Sequence, residues 1–300
     1  MKSTMSPWRA AVDPDDLREY DRFGPWIDKV TDAVDMPRRF HPWWDELSLA
    51  QFLLKVPRSY DRAQVRPGMD LYESVIAVFP DRLCILHASP TEIVRRDVAR
   101  DEVVATIRYS NLLTGRWSLL LSDASSVTVE FNNVSHTVIA EVDEFLLSPR
   151  SDSLPQHLPT VVWPTDHYFQ SVMATLNAGM DAPVQPVHVD EPGQPCRSDR
   201  NLRRRSAGLM VMASPDDLVI VNRDMAMQPR FRRANYASNF LRIPFRLMSG
   251  FDIVRPDDAS PPKFSQLVIT CDRQVITQPC LASPDAVADV LGRHGVRTLR

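Results

Sequence analysis

The chain has 300 residues, 44% of them hydrophobic and 24% charged, with a formal net charge of −3. That balance suits a globular chain with one or two cores and gives no bulk attraction to nucleic acid, so no nucleic-acid partner is expected. Only 9 glycines stand against 25 prolines, and none share the spacing of a dinucleotide fingerprint, a phosphate loop or a nucleophile elbow, which excludes those enzyme classes.

Residues 1–68 read as a helical, Trp-rich N-terminal extension. Ile27, Val30 and Val34 form one short stripe, and Trp44, Leu47, Phe52 and Leu54 form a second before Pro57. No apolar leader core follows Lys2 and Arg9, and no run approaches the ~18 residues that cross a bilayer, so a cytoplasmic location is expected. Trp43 and Trp44, in Phe40-His41-Pro42-Trp43-Trp44, are candidate partner-binding residues, because Trp offers a large area with one polar handle. The competing reading packs them on the domain that follows.

Residues 69–148 begin with an apolar run, Val75 to Phe79, then Pro80-Asp81-Arg82-Leu83-Cys84-Ile85-Leu86. Strand-like runs Glu102–Tyr109, Trp117–Ser122 and Ser126–Phe131 follow, divided by turn signals at Asn111 to Gly115 and Ser122 to Ser125. Ser135 then suits a helix N-cap ahead of the stripe Val138, Ile139, Val142, Phe145, Leu146. Residues 149–207 are a proline-rich linker with eight prolines between 149 and 195. Within it Asp166 should cap one helix, about 166–178, with Phe169, Val172, Met173 and Leu176 on one side.

Residues 208–300 repeat the plan. Pro215-Asp216-Asp217-Leu218-Val219-Ile220-Val221 lies 135 residues after its counterpart, and Met210, Met212, Met225 and Met227 alternate on one strand face. Asn239–Arg246, Phe264–Thr270 and Arg273–Gln278 take the strand roles, and Ser283-Pro284 opens a helix with Val287, Val290 and Leu291 inward. The growth in offset from the Pro-Asp pair to the two serines is assigned to an insertion at 255–263.

Strands closed by one helix, written twice, resemble tandem pleckstrin-homology-like domains of bacterial proteins. The resemblance covers 69–148 and 208–293 and implies a mainly β fold with helices, made of two bent barrels each closed by a C-terminal helix.

The seven histidines are scattered, and the four cysteines fit neither a zinc nor a CxxC spacing, so no metal and no cofactor is expected. Ser135-His136 is explained by the cap, and acid pairs such as Asp216-Asp217 by turns, so no catalytic residue is assigned. Arginine is the suggestive residue type. Residues 197–205 carry five arginines against one acid, including Arg203, Arg204 and Arg205, and Arg230, Arg232 and Arg233 add three. Guanidinium forks grip phosphate in pairs of hydrogen bonds, and the resemblance implies that basic residues at such positions hold a headgroup. The expectation is a non-enzymatic scaffold or adaptor with a protein partner. The alternative is binding of an anionic lipid headgroup or phosphorylated ligand by those arginines, with peripheral contact to an anionic membrane.

Overall fold

The computed structural model describes residues 7–148, 162–178, 183–191, 208–223, 237–255, 265–281 and 284–299. Two turns of the same chemistry organise them. At Phe79-Pro80-Asp81-Arg82 the Phe79 N–H donates to the Arg82 carbonyl at 2.8 Å, and at Ser214-Pro215-Asp216-Asp217 the Ser214 N–H donates to Asp217 at 2.9 Å. Proline presets φ for such a turn and Asp follows it readily. Each turn joins an antiparallel hairpin, β3 (Tyr72–Val78) with β4 (Arg82–Ala88), and β10 (Leu209–Ala213) with β11 (Asp217–Arg223). The Asp carbonyl of each turn then accepts the N–H that follows the next strand, Arg100 after β5 (Ile93–Ala99) and Phe245 after β12 (Ser238–Pro244).

The element order repeats on both sides of these turns. β2 (Phe52–Pro57) precedes the first hairpin and β9 (Gln185–Asp190) the second. A 3-10 turn, three strands and a helix follow each. In the first copy these are β6 (Val103–Asn111), β7 (Thr114–Leu121), β8 (Ser126–Asn132) and α4 (His136–Leu147). In the second they are β13 (Gly250–Val254), β14 (Ser265–Cys271), β15 (Gln274–Leu281) and α6 (Asp285–Arg293).

The chain divides into two compact units, residues 1–101 with 131–146, and residues 102–130 with 147–300. In the first, β1 (Asp28–Lys29), β2, β3, β4 and β5 form one sheet in chain order. Leu53, Val75, Ala77, Cys84, Leu86 and Ala88 point to one face, where Phe23, Val30, Met36, Phe40 and Leu47 of the preceding chain cover them. Leu54, Ile76, Val78 and Leu83, on the alternate positions, are buried too. Burial of both faces is why these strands read as unbroken apolar runs.

In the second unit the sheet order is β8-β7-β6-β12-β11-β10-β9, and β13-β14-β15 form a second sheet. The central hairpin is apolar on both faces for separate reasons. Leu209, Val211, Leu218 and Ile220 enter a core with Leu267 and Ile269 of β14 and Val287, Val290 and Leu291 of α6. Met210, Met212, Val219 and Val221 meet Phe169, Val172 and Met173 of α5 (His167–Asn177) instead. Asp166 caps α5, accepting from the Tyr168 and Phe169 N–H groups, as its sequence implies. Gly250 sits where a β-carbon would meet the Leu299 side chain at 2.6 Å, so the terminal chain closes against bare backbone there.

Several expectations change. The fold is mainly β with helices, but the sheets are open and do not close into barrels. β6, β7 and β8, expected to complete a first barrel ending near 148, belong to the sheet of β9–β12, because β6 finds a free neighbour in β12, with Ile107 opposite Leu241. The extension 1–68 holds β1 and β2, and Ile27 and Val30 flank a strand, not a helix face, with Val34 exposed. Asn239–Arg246 is the counterpart of β5 and not of Glu102–Tyr109, since both follow the Pro-Asp hairpin. The offset is 135 between β4 and β11 and 145 between β5 and β12, so most of the insertion lies between β11 and β12. Met225, Met227 and Ser283 lie outside the described residues.

Candidate functional site

In the seven-stranded sheet the Arg223 N–H donates to the Gly208 carbonyl, Arg223 pairs with Ser238, Ser238 with Ser110, and Ser110 with Gly115. These five positions form one row across β10, β11, β12, β6 and β7. Residues 201–207 connect directly to Gly208, and residues 224–236 connect Arg223 to Ala237. Both arginine-bearing stretches therefore join the sheet at the same end. Arg203, Arg204, Arg205, Arg230, Arg232 and Arg233 themselves lie outside the described residues.

The described side chains at this end are mixed in charge. Arg223 lies over the Tyr168 ring, 4.5 Å from its centroid, with Asp166 at 3.5 Å. Arg116 stands opposite Tyr109 and 5.2 Å from its ring centroid, and Arg108 lies 5.6 Å from that of Phe240. Guanidinium stacking of this kind fixes the planar group against the ring face. The Glu191 carboxylate accepts the Thr165 N–H at 2.7 Å.

Beyond the row, the β6–β7 hairpin ends in Leu112-Leu113, between the paired Asn111 and Thr114. The two leucines are 64% and 70% exposed, and Leu112 has φ of 50°. A β-carbon is crowded in that left-handed region, which turns normally give to Gly, Asn or Asp.

Trp43 and Trp44 are only half-buried and pack against the core of the first unit beside Phe40 and Leu47. Their apolar faces support the fold, which is the competing reading of their sequence.

The first unit also holds a charged cleft that no sequence motif marks. It is lined by Glu19 of α2 (Pro14–Arg22), Asp35, Arg38, Lys55 of β2 and Tyr72 of β3 among others, and is open to solvent. Lys55 is 3% exposed; its ammonium is bonded to the Asp35 carboxylate, reaches the Asp35 carbonyl at 3.4 Å and lies 5.6 Å from the Tyr72 ring centroid. Arg38 Nε donates to Glu19 at 2.8 Å and its Nη1 to Asp16. Burial pushes the Glu19 carboxyl up to about 7, against the opposing pull of Arg38, and burial likewise raises the Tyr72 phenol. Perturbed groups in a cleft are the usual mark of a chemical site. Here the Lys55 ammonium is already spent on Asp35 and the Arg38 guanidinium on two carboxylates, so the cluster fastens α2 and the Asp35 turn to the sheet.

Among the described residues no three His, Cys, Asp or Glu side chains converge to hold a metal ion. Cys84 and Cys271 are buried free thiols, pushed by burial up to about 11 and about 12, which disfavours the reactive thiolate. No described helix is long and apolar enough to cross a membrane. No protein-family model matches the chain, and no characterised relative matches it.

Proposed function

We propose that the chain is a non-enzymatic interaction scaffold of two pleckstrin-homology-like halves, and that its second unit docks on an anionic partner. The family reading is supported by the twice-written order of four strands, a 3-10 turn, three strands and a helix. The docking reading rests on one observation, the row Gly208–Arg223–Ser238–Ser110–Gly115, which gathers the attachment points of both arginine-rich stretches at one end of one sheet. Residues 197–205 have five arginines against one acid, and 224–236 have three arginines against one. Local density of guanidinium groups overcomes a net charge of −3 at short range, since salt screens distant charge over about 8–10 Å.

Binding to inositol hexakisphosphate and to phosphatidylglycerol vesicles tests this reading. Reversal of Arg230, Arg232 and Arg233 to Glu should abolish salt-sensitive binding to both, and unchanged binding would overturn it. The scaffold role is tested by affinity purification with the full chain. Because Trp43 and Trp44 pack inward, Trp43→Ala should lower stability as well as any partner recovery, so the stability of that variant must be measured beside it.

A further inference from the structure

The bonds that fasten α2 and the Asp35 turn leave two donors of the same cleft unused. Tyr72 is 3% exposed and lines the cleft, its ring edge to face with Phe23 and 5.6 Å from the Lys55 ammonium. Among the described residues its hydroxyl has no hydrogen-bond partner, whereas a buried phenol ordinarily finds one. Burial, and then the neighbouring Glu19 and Asp35 carboxylates, push its pKa up, so the group keeps its proton and acts as a donor.

Arg22 is the second donor. It lines the cleft from the last turn of α2 with its side chain 47% exposed. Among the described residues its guanidinium makes no hydrogen bond, and its ion-pair contact, Asp35, stands at 3.8 Å and is already bonded to Lys55. The charge of Arg22 reaches the Tyr72 phenol and opposes the rise in its pKa, so both donors serve one space.

The balance of charge says what that space would hold. Arg18 is paired with Asp15, Arg38 with Asp16 and Glu19, and Lys55 with Asp35. Asp70, another carboxylate felt by Glu19, is taken by Arg39 and Arg58. With Glu19 protonated, as burial favours up to about pH 7, every remaining carboxylate has a cation of its own and Arg22 is the surplus. One surplus charge on a planar fork, beside one hydroxyl, suits a singly charged acceptor with two oxygens, a carboxylate. A phosphate would bring a second charge into a cleft already rimmed by Asp15 and Asp35. The cleft holds about 390 Å³ of space counting its open mouth, and Val34, 51% exposed, gives it an apolar wall with Met36. That size is near the lower limit for ligand pockets and suits a short aliphatic tail.

We infer that this cleft binds a carboxylate with a short aliphatic tail, its oxygens accepting from the Arg22 guanidinium and the Tyr72 hydroxyl. The site lies wholly within the first unit and is independent of the anion docking proposed for the second.

The probes are butyrate, N-acetylglycylvaline and inorganic phosphate, each titrated against the full chain at neutral pH by ligand-observed NMR. Tighter binding of butyrate identifies a free acid as the source of the carboxylate, and tighter binding of the dipeptide a chain terminus; either supports the site. Tyr72→Phe should weaken that binding about tenfold, the scale of one hydrogen bond to a charged group, without lowering stability, because the hydroxyl it removes has no partner in the fold. Arg22→Gln should weaken it about a hundredfold, since both the fork and the surplus charge are lost. Binding of phosphate alone, binding of no probe, or a carboxylate that either variant holds as tightly as wild type would overturn the site. A Tyr72→Phe variant less stable than wild type would show that the hydroxyl serves the fold, and would overturn it as well.

Discussion

The Ser135 hydroxyl is bonded to both polar groups of one residue, Ile27: it accepts the Ile27 N–H at 2.8 Å and donates to the Ile27 carbonyl at 3.2 Å. Both residues are buried, so no water can replace either bond. Serine at this position looks like a helix cap from sequence, but the capping oxygen belongs to Asn132, which accepts the Val134 N–H at 3.1 Å. Ser135 instead ties α4 to the strand-like segment leading into β1.

Ser135→Ala should cost about 2–4 kcal/mol, since it strands a buried N–H and a buried carbonyl. Ser135→Asp separates the clamp from a cap: an N-cap would tolerate aspartate, whereas a buried clamp would place a charge beside the Ile27 carbonyl and lose more than alanine. Urea unfolding of the two variants decides it, and an aspartate variant at wild-type stability would refute the clamp.

Glu19 gives the first unit a pH dependence of definite sign. Its folded pKa of about 7 exceeds the ordinary 4.5, so the folded state holds the proton more tightly. The stabilisation is full below about pH 4.5 and is lost as pH rises through about 7, a change on the order of 3 kcal/mol. Glu46 and Asp97 are held low mainly by hydrogen bonds from Arg95, so what they add to stability is complete above their ordinary values of 4.5 and 3.8, is lost only as pH falls through their lowered range, and leaves the trend from about pH 4.5 to 7 to Glu19. The difference between wild type and Glu19→Gln isolates the Glu19 part. Stability measured from pH 4 to 8 should fall in wild type relative to the variant, and parallel curves would contradict the burial of that carboxyl.

Leu112→Gly should raise stability by about 1 kcal/mol, because glycine occupies φ of 50° without a β-carbon clash and the leucine side chain is largely exposed. The entropy glycine gains in the unfolded chain works against it by a fraction of that. Thermal unfolding of the single variant measures the balance, and destabilisation would mean that Leu112 contributes to the fold.

Local chemistry was legible in the sequence and remote pairing was not. The two Pro-Asp turns and the Asp166 cap are decided within a few residues, so both turns and α5 stand where their patterns place them. β5 escapes because Val94, Arg95, Arg96 and Asp97 leave both of its faces exposed and only Val98 is buried, so it shows neither an apolar run nor an alternation. β13 escapes because it is five residues long and begins with glycine. The pairing of β6 with β12 joins residues more than a hundred positions apart, and alternation reveals which face is buried but not which edge is met. Leu112-Leu113 was visible only as part of a turn signal. Glu19, Asp35, Lys55 and Tyr72 share a cleft because four separate stretches of chain meet there, and no spacing announces it.

That cleft supplies the sharpest stability test. Lys55 alternates with Leu54 and Val56 in β2, and its register partner Val75 faces the apolar cover of the sheet, so the ammonium sits where a hydrophobic side chain would ordinarily be. Among the described residues Asp35 is its one ion-pair partner in direct contact, while Arg22 approaches the same carboxylate at 3.8 Å. Asp35→Asn should therefore cost about 3–5 kcal/mol by leaving a buried cation without its partner. Lys55→Met removes the charge and keeps most of the volume; it leaves Asp35 with Arg22, and should cost much less. Lys55→Met/Asp35→Asn should then recover most of what Asp35→Asn loses, since the unpaired ammonium is gone. A double variant as unstable as Asp35→Asn alone would show that the aspartate acts through the Asp35 turn and not through the Lys55 charge. Guanidinium unfolding of the three variants, analysed as a double-mutant cycle, reads the coupling directly.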